Sequence, residues 1–136
     1  MDTKRKVQFL RFSQLGDERG RLVVVEGGKD IPFDIARVFY IYGTTPNTVR
    51  GEHANRESEF VLINVSGESK VKVDYGDSTE IFELVEPHTG LYIPKMVWKD
   101  MYDFSSDSVL LVLSNIKYDP NEYIKDYEEF LRCVKA

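Results

Sequence analysis

Few residues in this chain of 136 can move a proton near neutral pH. Imidazole is the side chain suited to that task, because its ordinary pKa lies close to neutrality, and there are two: His53 and His88. His88 sits in Glu86-Pro87-His88-Thr89-Gly90, a turn sequence, and reads as an exposed or packing residue. His53 lies in Arg50-Gly51-Glu52-His53-Ala54-Asn55-Arg56-Glu57-Ser58-Glu59, the segment richest in functional groups. In an extended chain His53 and Asn55 face the same way, with Glu57 and Glu59 on that side while the strand stays regular. A neutral His53 could abstract a proton next to a ketone, provided something nearby stabilises the enolate. The plainer alternative is a structural histidine with satisfied hydrogen bonds. Cys133, the single cysteine, falls near the end of an amphipathic tail and reads as a packing residue with no nucleophilic partner.

Metal chemistry is disfavoured by what is missing. The segment is similar to the first metal motif of cupins, His-x-His followed by Glu and a strand ending in Gly, here Gly67. Asn55 takes the place of the second His. In Pro94-Lys95-Met96-Val97-Trp98-Lys99, Lys99 takes the place of the His of the second motif. His53 and Glu59 alone fall short of the three protein ligands usual in a catalytic site, and an ammonium repels a cation. No zinc spacing and no glycine-rich phosphate loop is present. No metal and no cofactor are therefore expected.

Other groups suit a ligand rather than a reaction. Arg50 has the planar fork that holds a diphosphate through paired hydrogen bonds. Tyr40, Tyr42, Tyr92 and Tyr102 can stack on a base or donate to a sugar oxygen, or can simply be strand formers.

These residues are positioned by short strands between turn signals. Val7 to Phe12, Leu22 to Glu26, Ala36 to Tyr42, Phe60 to Val65, Lys70 to Asp74, Glu80 to Leu84, Thr89 to Ile93, Met96 to Met101 and Val109 to Ser114 read as strands. Phe60 to Val65 is almost continuously apolar, as in a strand buried on both faces. After Asp119-Pro120, a cap followed by proline, the spacing of Tyr123, Ile124, Tyr127, Phe130, Leu131 and Val134 predicts a helix docked on the sheets. The expectation is one all-β domain over residues 1–136, a cupin-type jelly-roll barrel with a short C-terminal helix and a cavity between its faces. A net charge of −5 argues against nucleic acid. No apolar run approaches the roughly 20 residues that span a bilayer. No signal peptide is read in Met1 to Lys6, and a cytoplasmic location is expected.

Long collinear stretches resemble one family. Ile31 to Tyr42, Val49-Arg50-Gly51-Glu52-His53-Ala54, Gly90 to Pro94, Val97-Trp98, Asp103-Phe104-Ser105 and Tyr118 to Tyr127 are similar to the TDP-4-keto-6-deoxyglucose 3,4-ketoisomerases, the FdtA/QdtA-type cupins. The resemblance implies a metal-free isomerase that converts the dTDP-linked 4-keto sugar to a 3-keto isomer. It also implies a homodimer with exchanged N-terminal strands. His53 would be the base and Arg50 the diphosphate contact. Asn55 departs from the family's second His, so Asn55, a tyrosine such as Tyr40, or water is expected to carry the hydroxyl proton. Arg19, Arg37, Tyr42, Glu59, Tyr92 and Lys99 complete the expected substrate-binding set. Arg19-Gly20 leans the product toward the galacto isomer, whereas Lys99 matches neither the galacto nor the gluco form. A 3,5-epimerase-like sugar cupin and a non-catalytic nucleotide-sugar-binding module are the alternatives.

Overall fold

The computed structural model describes residues 6–135; Met1 to Arg5, on which the signal-peptide reading mostly rests, lie outside them. The nine expected strands form, some with shifted bounds, and three more appear. The order is β1 (Gln8–Arg11), β2 (Gln14–Asp17), β3 (Gly20–Val23), β4 (Arg37–Tyr42), β5 (Arg50–Asn55), β6 (Phe60–Ser66), β7 (Ser69–Asp74), β8 (Thr79–Leu84), β9 (Thr89–Ile93), β10 (Trp98–Tyr102), β11 (Val109–Ser114), β12 (Tyr123–Ile124) and α1 (Tyr127–Lys135). Two five-stranded antiparallel sheets, β1-β9-β6-β11-β4 and β12-β5-β10-β7-β8, make up the jelly roll, and β2-β3 is a separate hairpin.

Alternation sorts the side chains into three cores. Between the sheets lie Phe60 and Leu62 of β6, Leu91 and Ile93 of β9, Leu110 and Val112 of β11, and Val71, Val73 and Met101 from the facing sheet. The opposite face of the first sheet carries Val61, Ile63, Tyr92 and Leu113, covered by Phe12, Ile31 and Phe33. Phe60 to Ile63 are consequently all buried, which accounts for the unbroken apolar run in β6. The third core, Ala54, Ile124 and Phe130, with Trp98 beside them, seats α1 against the second sheet.

The tail departs from its expected form. Asp119 does cap, accepting from the Asn121 N–H at 3.0 Å, but it opens only a 3-10 turn at Pro120–Glu122. Tyr123 and Ile124 then pair with Asn55 and Ala54 as a short strand. The α-helix starts after Asp126, whose carboxylate accepts from the Glu128 N–H at 3.2 Å. The reason is tertiary. Glu122 is drawn into the barrel instead of closing a capping box, and edge pairing with β5 outcompetes helical propensity at Tyr123 and Ile124.

Candidate active site

His53 and Lys99 are directly opposite one another on adjacent strands β5 and β10, in the only part of that ladder where the register shifts. Cross-strand partners project from the same face of a sheet, here into the barrel. Gly51 makes the close approach possible. Its φ is +90°, and a Cβ there would lie 2.8 Å from the Lys99 carbonyl oxygen, so a side chain is excluded both sterically and conformationally. The Gly51 carbonyl in turn fixes His53. It lies 2.9 Å from Nδ1, and a carbonyl can only accept, so Nδ1 carries the hydrogen and Nε2 of the neutral ring keeps its lone pair. The ring rests against Tyr123, with centroids 4.8 Å apart. Burial, reinforced by the Lys99 charge, lowers the His53 pKa from 6.5 to about 4. The ring is neutral at rest and available as a base.

Lys99 is 3% exposed. Its Nζ lies 4.4 Å from the Phe60 ring centroid and donates to Asn55 Oδ1 at 3.1 Å. Burial lowers its pKa to about 7, against the opposing pull of Glu122 and with help from the Arg37 charge. Asn55 is the middle of a chain: its Nδ2 donates to Glu122 Oε2 at 2.5 Å. Glu122 also accepts from the Ser58 hydroxyl at 2.6 Å and from the N–H groups of Glu57 and Ser58 at 2.9 and 3.0 Å. Burial opposes its ionisation, but these hydrogen bonds together outweigh it and hold the carboxyl below its ordinary range.

Three hollows meet at this point. The innermost, about 120 Å³, is walled on one side by Arg50, Gly51, His53, Lys99 and Met101 and on the other by Phe39, Ile41, Phe60, Leu62 and Val112, with Tyr123 at its edge. The second, about 340 Å³, adds Arg37 and Tyr118. The third, about 410 Å³, is bordered by Val49 to His53, Tyr118, Tyr123 and Lys125. The first has room for a ring, not for a nucleotide sugar, whereas the three together form a cleft of ligand size. Arg37 is half-buried beside Phe39 and Tyr118 and donates to Tyr123, Ser58 and Ser114 at 3.3–3.5 Å, leaving Nε without a partner.

The structure brings His53, Arg50, Arg37 and Lys99 to the cleft and places six other expected site residues outside this chain's cavity. Alternation along β4 turns Phe39 and Ile41 inward, so Tyr40 and Tyr42 face out, 60% and 71% exposed, away from the cavity. Tyr92 points to the other face of its sheet, where it packs on Phe33 and donates to Glu59 at 2.5 Å. Strand β5 ends at Asn55, so the regular alternation that would have aimed Glu59 into the barrel is lost. Asn55 is buried behind Lys99 rather than lining the cavity. Arg19 sits on the β2-β3 turn, paired with Asp17 at 2.8 Å, away from this chain's cleft. Tyr118, Glu122, Tyr123 and Lys125 were not anticipated; the tail was read as a docking helix, and the only hint was the acid in a segment that proved to be buried. Among the described residues no three of His, Cys, Asp and Glu converge as metal ligands, and no helix is long and apolar enough to cross a membrane.

Comparison with known proteins gives the family. The family model FdtA, described as WxcM-like, C-terminal, matches residues 5–135. A TDP-4-oxo-6-deoxy-alpha-D-glucose-3,4-oxoisomerase from Aneurinibacillus thermoaerophilus is 40% identical over 127 residues, 93% of this chain and 91% of the relative. A 3,4-ketoisomerase from Helicobacter canadensis superposes with a TM-score of 0.94 at 41% identity, over 98% of this chain and 100% of the other. A histidine-to-asparagine mutant of the 3,4-ketoisomerase QdtA from Thermoanaerobacterium thermosaccharolyticum, solved in complex with TDP-4-keto-6-deoxyglucose, gives 0.92 at 38% identity, over 95% and 94%. With the family model matched over residues 5–135 and a relative 40% identical over 93% of the chain, the chain belongs to the FdtA family of cupin-fold sugar-nucleotide 3,4-ketoisomerases.

Proposed function

We propose that this protein isomerises TDP-4-keto-6-deoxyglucose to TDP-3-keto-6-deoxygalactose through an enediol, with His53 carrying the carbon-bound hydrogen. The reaction needs no outside oxidant. One hydrogen passes from carbon 3 to carbon 4, and one hydroxyl proton passes from oxygen 3 to oxygen 4. The carbonyl at carbon 4 acidifies the carbon-3 hydrogen, Nε2 of His53 takes it as a proton, and the enediol forms. The imidazolium then returns the proton to carbon 4. A buried cation, Lys99, stands on the same wall to offset the enolate charge. Arg50 and Lys125 border the most polar hollow and suit the diphosphate, while Arg37, Tyr118 and Tyr123 border the hollow suited to the base.

The product stereochemistry rests on one observation: His53 and Lys99 share one wall, and the facing wall is apolar. The hydrogen on carbon 3 of the gluco substrate and the hydrogen on carbon 4 of the galacto product lie on the same ring face. The gluco product carries it on the opposite face. A single base on one wall removes and returns the proton on one face, which favours galacto. Arg19 supports the same product through the resemblance noted above.

A homodimer with exchanged N-terminal strands is part of this reading. The β2-β3 hairpin leaves Leu15 and Leu22 exposed at 52% and 57%, and an isolated two-stranded hairpin is marginal in water. Docking it on a second copy would cover those residues and bring Arg19 toward the neighbour's cleft. The free thiol of Cys133 suits a cytoplasmic setting.

Incubation with TDP-4-keto-6-deoxyglucose in deuterated water, followed by NMR, tests the assignment. The expected outcome is a 3-keto galacto product with deuterium at carbon 4 in part, and His53→Asn slowing it by about two orders of magnitude or more with the fold intact. A gluco product overturns the one-face argument. Deuterium exchange with the carbonyl still at carbon 4 would mean an epimerase, and binding without exchange a non-catalytic module. Light scattering that reports a monomer overturns the dimer.

A further inference from the structure

We infer that Lys99 is the second catalytic residue, passing the hydroxyl proton from oxygen 3 to oxygen 4 of the sugar, and that Asn55 and Glu122 are its positioning residues. The inference rests on the isomerase reading above and assigns the half of the reaction that His53 does not perform.

An ammonium has three hydrogens to donate. Lys99 gives one to Asn55 Oδ1, its one hydrogen-bond partner among the described residues, while its side chain lines the innermost cavity beside His53. The remaining donors are available to a ligand there. The orientation of Asn55 follows from Glu122. A carboxylate held ionised by the Ser58 hydroxyl and two backbone N–H groups accepts only, so the Asn55 NH₂ must face it and the amide oxygen must face Lys99. A neutral amide between carboxylate and ammonium keeps the two from forming a tight ion pair, which would hold the proton on nitrogen. A histidine at position 55 would itself titrate; asparagine leaves the titration to Lys99.

The titratable and charged groups facing Lys99 are His53 from β5, Arg37 from β4 and Glu122 from the 3-10 turn, with the Phe60 ring from β6. Burial and Arg37 bring its pKa to about 7 against the pull of Glu122, so both protonation states are within reach at neutrality. The transfer balances. As His53 removes the carbon-3 proton, the Lys99 ammonium protonates oxygen 4 and becomes an amine. The amine takes the proton of the oxygen-3 hydroxyl while the imidazolium protonates carbon 4. Both groups end as they began.

Lys99→Arg keeps a cation that cannot release its proton, and Lys99→Met keeps the packing without charge. Each is checked by melting temperature and TDP binding, then assayed for turnover against pH and for deuterium exchange at carbon 3. Wild-type turnover should fall above about pH 7, where the ammonium is lost. Lys99→Arg should lose that alkaline limb and about 100-fold in turnover, with carbon-3 exchange by His53 reduced less than about 10-fold. Glu122→Gln should move the limb to lower pH, since the carboxylate raises the Lys99 pKa. Lys99→Met decides by rate alone if the arginine variant does not fold. Turnover by either variant within about 10-fold of wild type, or an unchanged limb in Lys99→Arg, overturns the proposal. Wild-type protein that neither isomerises nor exchanges overturns the isomerase reading instead.

Discussion

Asn55 and Glu122, 67 positions apart, meet through a 2.5 Å hydrogen bond behind the wall that carries His53 and Lys99. The carboxylate also satisfies two backbone N–H groups and the Ser58 hydroxyl, so one side chain from the tail ties down the end of β5 and the loop that follows it. The tail belongs to the barrel mouth and is not merely packed on it.

Glu122→Ala should therefore destabilise more than an ordinary surface change. It strands buried donors, each costing about 1–3 kcal/mol when unsatisfied, and a loss of about 3 kcal/mol is expected. Denaturant unfolding measures it. A change below about 1 kcal/mol, in the range of surface substitutions, would mean that water replaces the carboxylate and that the tie is weak.

Acid should loosen the fold before carboxylates as a class titrate. The unfolded chain protonates His53 near 6.5 and the folded chain only near about 4. Between those values the unfolded state binds more protons, so stability falls as pH falls. The full difference corresponds to about 3 kcal/mol. Glu122, held below its ordinary range, adds a loss of the same sign at lower pH. Melting temperature followed from pH 7 to 4.5 should drop in wild type and drop less in His53→Asn. Parallel curves would place the imidazole outside the buried environment described here.

Much of this was legible in the sequence and some was not, for identifiable reasons. The strands show because period-2 alternation and turn residues are local signals. His53, Arg50 and the motif around them show because their types and spacing are local too. Tyr40 and Tyr42 face away from this chain's cavity, and the same alternation carries that placement: the inward set of β4 contains Phe39 and Ile41, and strand neighbours of an inward residue point out. Glu59 lies outside the alternation expected of it because β5 stops at Asn55, where its pairing with β12 also ends. Glu122 and Tyr123 were invisible because their roles depend on contacts with residues more than sixty positions away, and the local pattern at Asp119-Pro120 favours a helix start. Lys99 was visible as an oddity, an ammonium in a metal-ligand position, but its burial and its partner were not.

Gly51→Ala should damage the site without removing a functional group. Its φ of +90° is disfavoured for alanine, and the added Cβ would press on the Lys99 carbonyl at 2.8 Å. Relief requires β5 and β10 to part where His53 and Lys99 face each other. The expected cost is about 1–3 kcal/mol of stability, with turnover lowered well beyond what that loss of folded protein explains. Turnover unchanged at full folding would show that the approach of the two strands is not needed for catalysis.

Arg50 and Arg37 should separate by what they bind. Arg50 borders both the inner cavity and the polar hollow that also holds Lys125, so it is placed for the diphosphate. Arg37 borders the aromatic hollow and is tied to Tyr123, Ser58 and Ser114. Charge-assisted hydrogen bonds contribute about 1.5–3 kcal/mol, so Arg50→Gln should weaken TDP binding by about 10- to 100-fold and flatten its salt dependence. Thymidine, which lacks the phosphates, should bind that variant as it binds wild type. Arg37→Gln should weaken thymidine and TDP alike, because it disturbs the wall of the hollow assigned to the base. Calorimetry with the two ligands distinguishes the patterns, and a common loss for both ligands in Arg50→Gln would move the diphosphate elsewhere in the cleft.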